Sequence, residues 1–144
     1  MIFCTNFAKV ILSAAEACGS SDEEKGGLIL ERDGKFTFVG LRNEHEGTDT
    51  AIGLYVADRE ELGLKLTSYI GEGWRMFASF HTHPSFSATP SQLDLTVLFK
   101  GFKHNVIFSR ATNKFSCSSW EGEQHTVVYA TAESIHRISK LSDN

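Results

Sequence analysis

His81-Thr82-His83 closes an apolar run, Trp74-Arg75-Met76-Phe77-Ala78-Ser79-Phe80, and is followed by Pro84, then Ser91 and Asp94. The run is rich in aromatic and apolar residues and predicts a strand. Its even positions, Trp74, Met76, Ala78 and Phe80, are apolar, while Ser79, His81 and His83 share the opposite face. Residues i and i+2 of a strand point the same way, so both imidazoles can reach one point in space. Pro84 ends the strand because it has no N–H to give to a ladder. A fold that contains this segment must put two histidines at the end of a buried strand, facing a cleft.

Two histidines and an acid eleven residues further on are ligands of the kind a catalytic zinc uses; three of them leave one tetrahedral position open. Ser91 stands after Pro90 where a helix N-cap belongs, and Asp94 falls in the first turn. The two can be a capping pair and nothing more. A carboxylate there also lies near the positive end of the helix dipole, which favours the ionised form that a metal needs. A hydrolytic site further requires a carboxylate to move a proton. Glu24, just ahead of Lys25-Gly26-Gly27-Leu28-Ile29-Leu30, is the candidate, and Glu23 is its rival. A cupin also uses H-x-H, but it wants a glutamate shortly afterwards, and Pro84-Ser85-Phe86-Ser87 offers no acid. An amidohydrolase barrel needs about 250 residues, and the chain has 144.

That length predicts one domain spanning 1–144, with a single substantial core. Apolar content of 41% and charged content of 22% are ordinary for a globular protein. The net charge of −4 argues against a nucleic-acid surface, which shows as a basic patch. No apolar run has membrane-spanning length, and Met1-Ile2-Phe3-Cys4 lacks the layout of a signal peptide. Cys4, Cys18 and Cys117 lack zinc-finger spacing and are odd in number. They are expected to be buried small hydrophobes, with reduced thiols in a cytoplasmic protein.

Phe7, Val10, Ile11, Ala14 and Cys18 recur at helical spacing behind Thr5 as a possible N-cap. Asp33-Gly34 between Leu28–Leu30 and Phe36–Val39 predicts a two-residue hairpin. Asn43 to Thr50 reads as a polar loop and Ile52 to Val56 as a short strand. Asp58 and Glu61 resemble a capping box opening a helix with Leu62, Leu66, Tyr69 and Ile70 on one face, ended by Gly71-Glu72-Gly73. A further helix is expected from Ser91 to Gly101, carrying Leu95, Leu98 and Phe99. Val106–Phe108, Phe115–Cys117 and Thr126–Tyr129 are later strands, and Ile135, Ile138 and Leu141 suggest a closing helix. The fold class is α/β, a mixed β-sheet flanked by helices. Trp74 and Trp120 are expected in the core. His45, His104, His125 and His136 have no partner at ligand spacing.

Glu24-Lys25-Gly26-Gly27-Leu28, with His81-x-His83-Pro84 and Ser91-x-x-Asp94, resembles the JAMM (MPN+, or JAB) metalloprotease family. The family pattern is a glutamate in E-x-x-G, then H-x-H-x7-S-x-x-D, and every position is matched. The resemblance spans the order of elements from Glu24 to Trp120 and implies the MPN/JAB, cytidine-deaminase-like fold. It implies a Zn2+ ion on His81, His83 and Asp94, with Glu24 as general base and then acid. Ser91 would donate a hydrogen bond to the oxyanion of the tetrahedral intermediate. Family members of this pattern cut a peptide or isopeptide bond after the C-terminal glycine of ubiquitin or a ubiquitin-like protein.

The chain has few residues beyond the matched core and so looks like the compact prokaryotic branch, linked to ubiquitin-like conjugation, some of it in antiphage defence, or to sulfur-carrier proteins. The expected function is that of an isopeptidase or processing peptidase for a ubiquitin-like partner, with the partner's tail in the groove. Ser85 to Thr89, with Phe86, and Asn43 to Thr50 are the expected walls. Three alternatives remain: a hydrolase releasing cysteine from a sulfur-carrier protein, a RadC-like module, and a non-catalytic MPN scaffold. Phe86 stands where RadC-like chains usually carry glycine.

Overall fold

Asp33 and Gly34 both take positive φ, 52° and 78°, the backbone of a tight two-residue turn whose twist matches the flanking strands. The computed structural model describes residues 3–91, 94 and 102–141. Within them, α1 (Thr5–Cys18) leads into the hairpin β1 (Gly26–Arg32) and β2 (Lys35–Leu41). A 3-10 turn at Asp49–Ile52 precedes α2 (Arg59–Gly71) and β3 (Arg75–His83). Then come β4 (His104–Ser109), β5 (Lys114–Glu121), β6 (Gln124–Thr131) and α3 (Ala132–Ser139). The six strands form one mixed sheet in the order β2-β1-β3-β4-β5-β6. β3 and β4 are parallel, and every other neighbouring pair is antiparallel.

One face of the sheet carries Ile29, Ala78, Phe80, Val106, Phe115 and Cys117 against α1 and α3. Phe7, Val10, Ile11, Ala14 and Cys18 of α1 are all buried there, as their spacing requires, together with Ile135 of α3. The opposite face splits in two. On β1 and β2 it is apolar, with Leu28, Leu30, Val39 and Leu41 under Leu62, Leu66 and Tyr69 of α2. On β3, β4 and β5 it is mostly polar and still buried, with His81, His83, Asn105, Ser109, Ser116 and Ser118 around one apolar residue, Ile107.

Several local expectations are corrected. Thr5 is the first residue of α1, and the N-cap is Cys4, whose side chain makes no capping bond. Ile52 to Val56 is not a strand: Ile52 ends the 3-10 turn, and an isolated bridge, Asn43 to Ala57, lies beyond it. The apolar spacing there serves Tyr55, which buries its ring and donates from its hydroxyl to Leu41 O. Asp58 does cap α2, accepting from Glu61 N, but Glu61 turns its carboxylate to Arg42 N instead of closing the box. Ile70 and Leu141 are exposed.

The alternation along β3 breaks where the register against β1 shifts: Ile29 faces Ala78, but the next residue, Leu30, faces Met76. Phe77 is the extra residue. It turns into the main core while Met76 is left half-exposed. Trp74 and Trp120 are only partly buried, and Cys4 is exposed whereas Cys18 and Cys117 are buried. The helix expected from Ser91 to Gly101, with Leu95, Leu98 and Phe99, falls outside the described residues apart from Ser91 and Asp94. Among the described residues, no helix is long and apolar enough to cross a membrane.

Candidate metal centre

β3 delivers His81 and His83 to one side of the sheet at its C-terminal end, below the neighbouring strand β1. The strand spacing there is set by glycine: a Cβ on Gly26 would come within 2.8 Å of His81 Cα, and one on Gly27 within 2.9 Å of Gly40 Cα. Glu24, two residues before β1, is therefore carried close to His81. Four contacts fix its backbone and that of Lys25. Glu24 N donates to Ala51 O (2.7 Å), and Asn43 Nδ2 donates to Glu24 O (2.9 Å). Thr82, between the histidines, accepts from Lys25 N through its hydroxyl (3.0 Å) and donates its own N–H to Lys25 O (2.8 Å).

Asp94 arrives from the other side. Ser91 N donates to Asp94 Oδ2 (2.8 Å) and Asp94 N donates to Ser91 Oγ (3.1 Å), the reciprocal bonds of a capping box. The pair thus aims the carboxylate at the histidines. Asp94 Oδ1 lies 3.1 Å from His81 Nε2, and Oδ2 lies 3.2 Å from His83 Nε2. The two Nε2 atoms are 3.3 Å apart, and Glu24 Oε1 is 3.7 Å from His81 Nε2. Glu24, His81, His83 and Asp94 are each at most 2% exposed. Sequence spacing alone left Glu23 in contention, and the structure separates the two. Glu23 turns outward, accepting from Gly47 N at the 43–50 loop.

These residues fit a metal ion. Donor atoms about 2.0–2.1 Å from a tetrahedral zinc sit about 3.3 Å from one another, and the imidazole and Asp94 donors are spaced at 3.1–3.3 Å. The chemistry of the set agrees: two imidazoles with one carboxylate make a ligand set that catalytic zinc takes. Glu24 Oε1 is buried and has no hydrogen-bond partner among the described residues, a costly arrangement unless something else in the pocket answers it. The buried group Glu24, His81 and His83 could bind a metal ion.

The two carboxyls differ in their electrostatics. Burial pushes Glu24 up to about 8; the positive potential of His83 works against that rise and the charge of Asp94 adds to it. Burial acts on Asp94 too, but hydrogen bonds from His81 and His83 overcome it and hold that carboxyl well below the usual range. Burial lowers His83, while its bonds to Asp94 and to Ser87 O, with the charge of Glu24, more than offset this and raise it. One acid is therefore held ionised beside the ring nitrogens, and the other is poised to exchange a proton near neutral pH.

Tyr55 had no signal in the sequence, whereas Ser87 and Phe86 lie in a segment expected to wall the site. Tyr55 stacks on His81, with ring planes within 10° and centroids 6.2 Å apart. Ser87 O receives the bond from His83 Nδ1 at 2.8 Å. Phe86 sets its ring 5.3 Å from that of His83 and stays half-exposed. A cavity of about 580 Å³ lies beside the site, lined in part by Glu24, Lys25, Arg42, Asn43 and Glu46. A larger groove of about 750 Å³ runs between α1 and β2, lined in part by Lys9, Lys35 and Phe36, with no carboxylate or imidazole on its walls.

No protein-family model matches the sequence, and no curated protein matches it. Solved structures do. A protein from Desulfitobacterium hafniense, determined in solution, superposes with a TM-score of 0.62 at 22% identity, covering 82% of this chain and 84% of that one. The two share a fold. A JAB1/MPN domain protein from Archaeoglobus fulgidus matches with a TM-score of 0.43 at 18% identity, over 81% of this chain and 83% of that one.

Proposed function

We propose that the protein is a zinc-dependent peptidase or isopeptidase of the JAMM type, acting after the C-terminal residue of a ubiquitin-like protein. The convergence of His81, His83 and Asp94 at tetrahedral spacing, beside a Glu24 oxygen with no hydrogen-bond partner among the described residues, carries this reading. His81, His83 and Asp94 would hold the ion. When bound, zinc acts as a Lewis acid toward a carbonyl oxygen and acidifies water.

The chain's own groups supply the rest. Glu24 takes a proton from the attacking water and returns it to the leaving amine. Asp94 stays ionised throughout. Ser91 Oγ accepts from Asp94 N, and its hydroxyl hydrogen has no acceptor among the described residues, so it is available to an oxyanion. The cavity walled by Glu24, Asn43 and Glu46 gives an extended tail a place beside the scissile bond. Such a partner, and a cytoplasmic role in deconjugation or precursor processing within a conjugation or antiviral defence system, belong to the same reading.

Cleavage of a ubiquitin-like protein fused through its C-terminal glycine to a reporter tests it. Glu24→Gln should slow cleavage about 10²–10⁴-fold, the range for loss of a positioned acid–base group, and a chelator should stop it. Full activity of Glu24→Gln, or of chelator-treated protein, would end the proposal.

A further inference from the structure

Ser109 and Ser116 lie on β4 and β5, on the buried polar face of the sheet, and both are fully buried. Neither belongs to the metal-binding set. Ser116 Oγ donates to Ala88 O at 2.6 Å, and Ser109 Oγ donates to Phe86 O. Ser109 Oγ also accepts from Thr112 N, while the Ala88 contact is the bond that Ser116 Oγ makes among the described residues. Arg110 N adds a bond to His83 O at the foot of the same loop. The carbonyls on either side of Ser87 are thus tied to two neighbouring strands. Between them, Ser87 O faces His83 Nδ1 at 2.8 Å.

A carbonyl oxygen can only accept, so Nδ1 must carry a hydrogen; the protonated ring also donates from Nε2 to Asp94, and when that second proton leaves, the lone pair sits on Nε2, the atom turned toward Asp94 and His81. We infer that Ser116, with Ser109 beside it, is a positioning residue for the metal centre: it pins the 84–90 loop so that Ser87 O fixes the tautomer and orientation of His83. This rests on the metal reading above. Groups that orient a ligating histidine through its far nitrogen change metal affinity about 10–100-fold when lost. A loop held at two carbonyls by buried hydroxyls leaves Ser87 O little freedom to swing, which is what such a role requires.

Two measurements test it. In metal-stripped wild-type protein, at a pH where His83 is neutral, long-range nitrogen–proton spectra should show His83 with hydrogen on Nδ1. Ser116→Ala should weaken zinc binding about tenfold, read by competition with a chromophoric chelator, and should mix the His83 tautomers. The signals of His104, which bonds Ser119 Oγ through Nδ1 on the other face, should stay unchanged. Hydrogen on Nε2 of His83 in the wild type would overturn the inference, as would a folded Ser116→Ala that binds zinc as tightly as the wild type. Should Ser116→Ala fail to fold, the wild-type tautomer decides alone. Wild-type protein that binds no zinc would instead overturn the metal reading, and this inference with it.

Discussion

The central strands β3, β4 and β5 present two faces built on opposite plans. Toward α1 and α3 they show Ala78, Phe80, Val106, Phe115 and Cys117, a close-packed apolar layer. Toward the site they show His81, His83, Asn105, Ser109 and Ser116, equally buried and polar apart from Ile107 among them. Burying apolar atoms stabilises a fold in proportion to area, whereas burying polar atoms costs free energy unless each finds a partner. The first face therefore holds the molecule together. The second is held by it, and carries groups such as Glu24 Oε1 that no fold would keep for stability. One strand supplies both, since alternation sends Phe80 one way and His81 the other.

Phe80→Ala should show the contrast most strongly. Removing a fully buried aromatic ring costs about 3–5 kcal/mol, read by chemical denaturation, while zinc affinity of the folded fraction stays near that of the wild type. A large loss of affinity in folded Phe80→Ala would break the division between faces. His81→Ala reverses the pattern. Zinc binding should fall by more than the factor of about 100 that bounds losses beyond the direct ligands, whereas stability of the stripped protein should change little.

A subtler test uses pH. Burial raises Glu24 to about 8 in the fold, whereas an unfolded glutamate titrates near about 4.3. Between those values the unfolded chain binds fewer protons than the native one, so stability of the stripped protein should fall as pH rises from about 4.5 to 8. Glu24→Gln removes that slope, and its thermal midpoint at pH 8 should exceed the wild type's by several degrees. Equal slopes in the two proteins would show that the polar face does not carry this cost. Asp58→Ala, remote from both faces, should cost only about 1 kcal/mol through loss of the α2 cap, with no change in zinc affinity.

Much of the apolar plan was legible because it is periodic. The spacing of Phe7, Val10, Ile11, Ala14 and Cys18 gave α1, and Asp33-Gly34 gave the hairpin turn. Periodicity failed where one residue breaks it: the extra residue Phe77 in β3 left Met76 outside. It failed also at Ile52 to Val56, where a short apolar stretch serves one buried tyrosine and no strand. At the site, spacing brought out His81, His83, Ser91 and Asp94, and the family likeness favoured Glu24 over Glu23. Asn43, Tyr55, Ser87 and Ser116 could not be read in advance. They act through a few contacts, often to backbone carbonyls, and the carbonyl partners of Asn43 and Ser116 lie 11 to 28 residues away. No local pattern marks such pairings.

Gly26 and Gly27 leave β1 no clearance on either flank. Any larger residue there would wedge the strands apart and widen the gap between Glu24 and His81. The width of the cleft is thus a fixed dimension of the scaffold, like the gauge of a track. Under the proposed function, selection for a different bond or partner would work on the 43–50 and 84–90 loops, and a saturation library over positions 26 and 27 should return glycine alone.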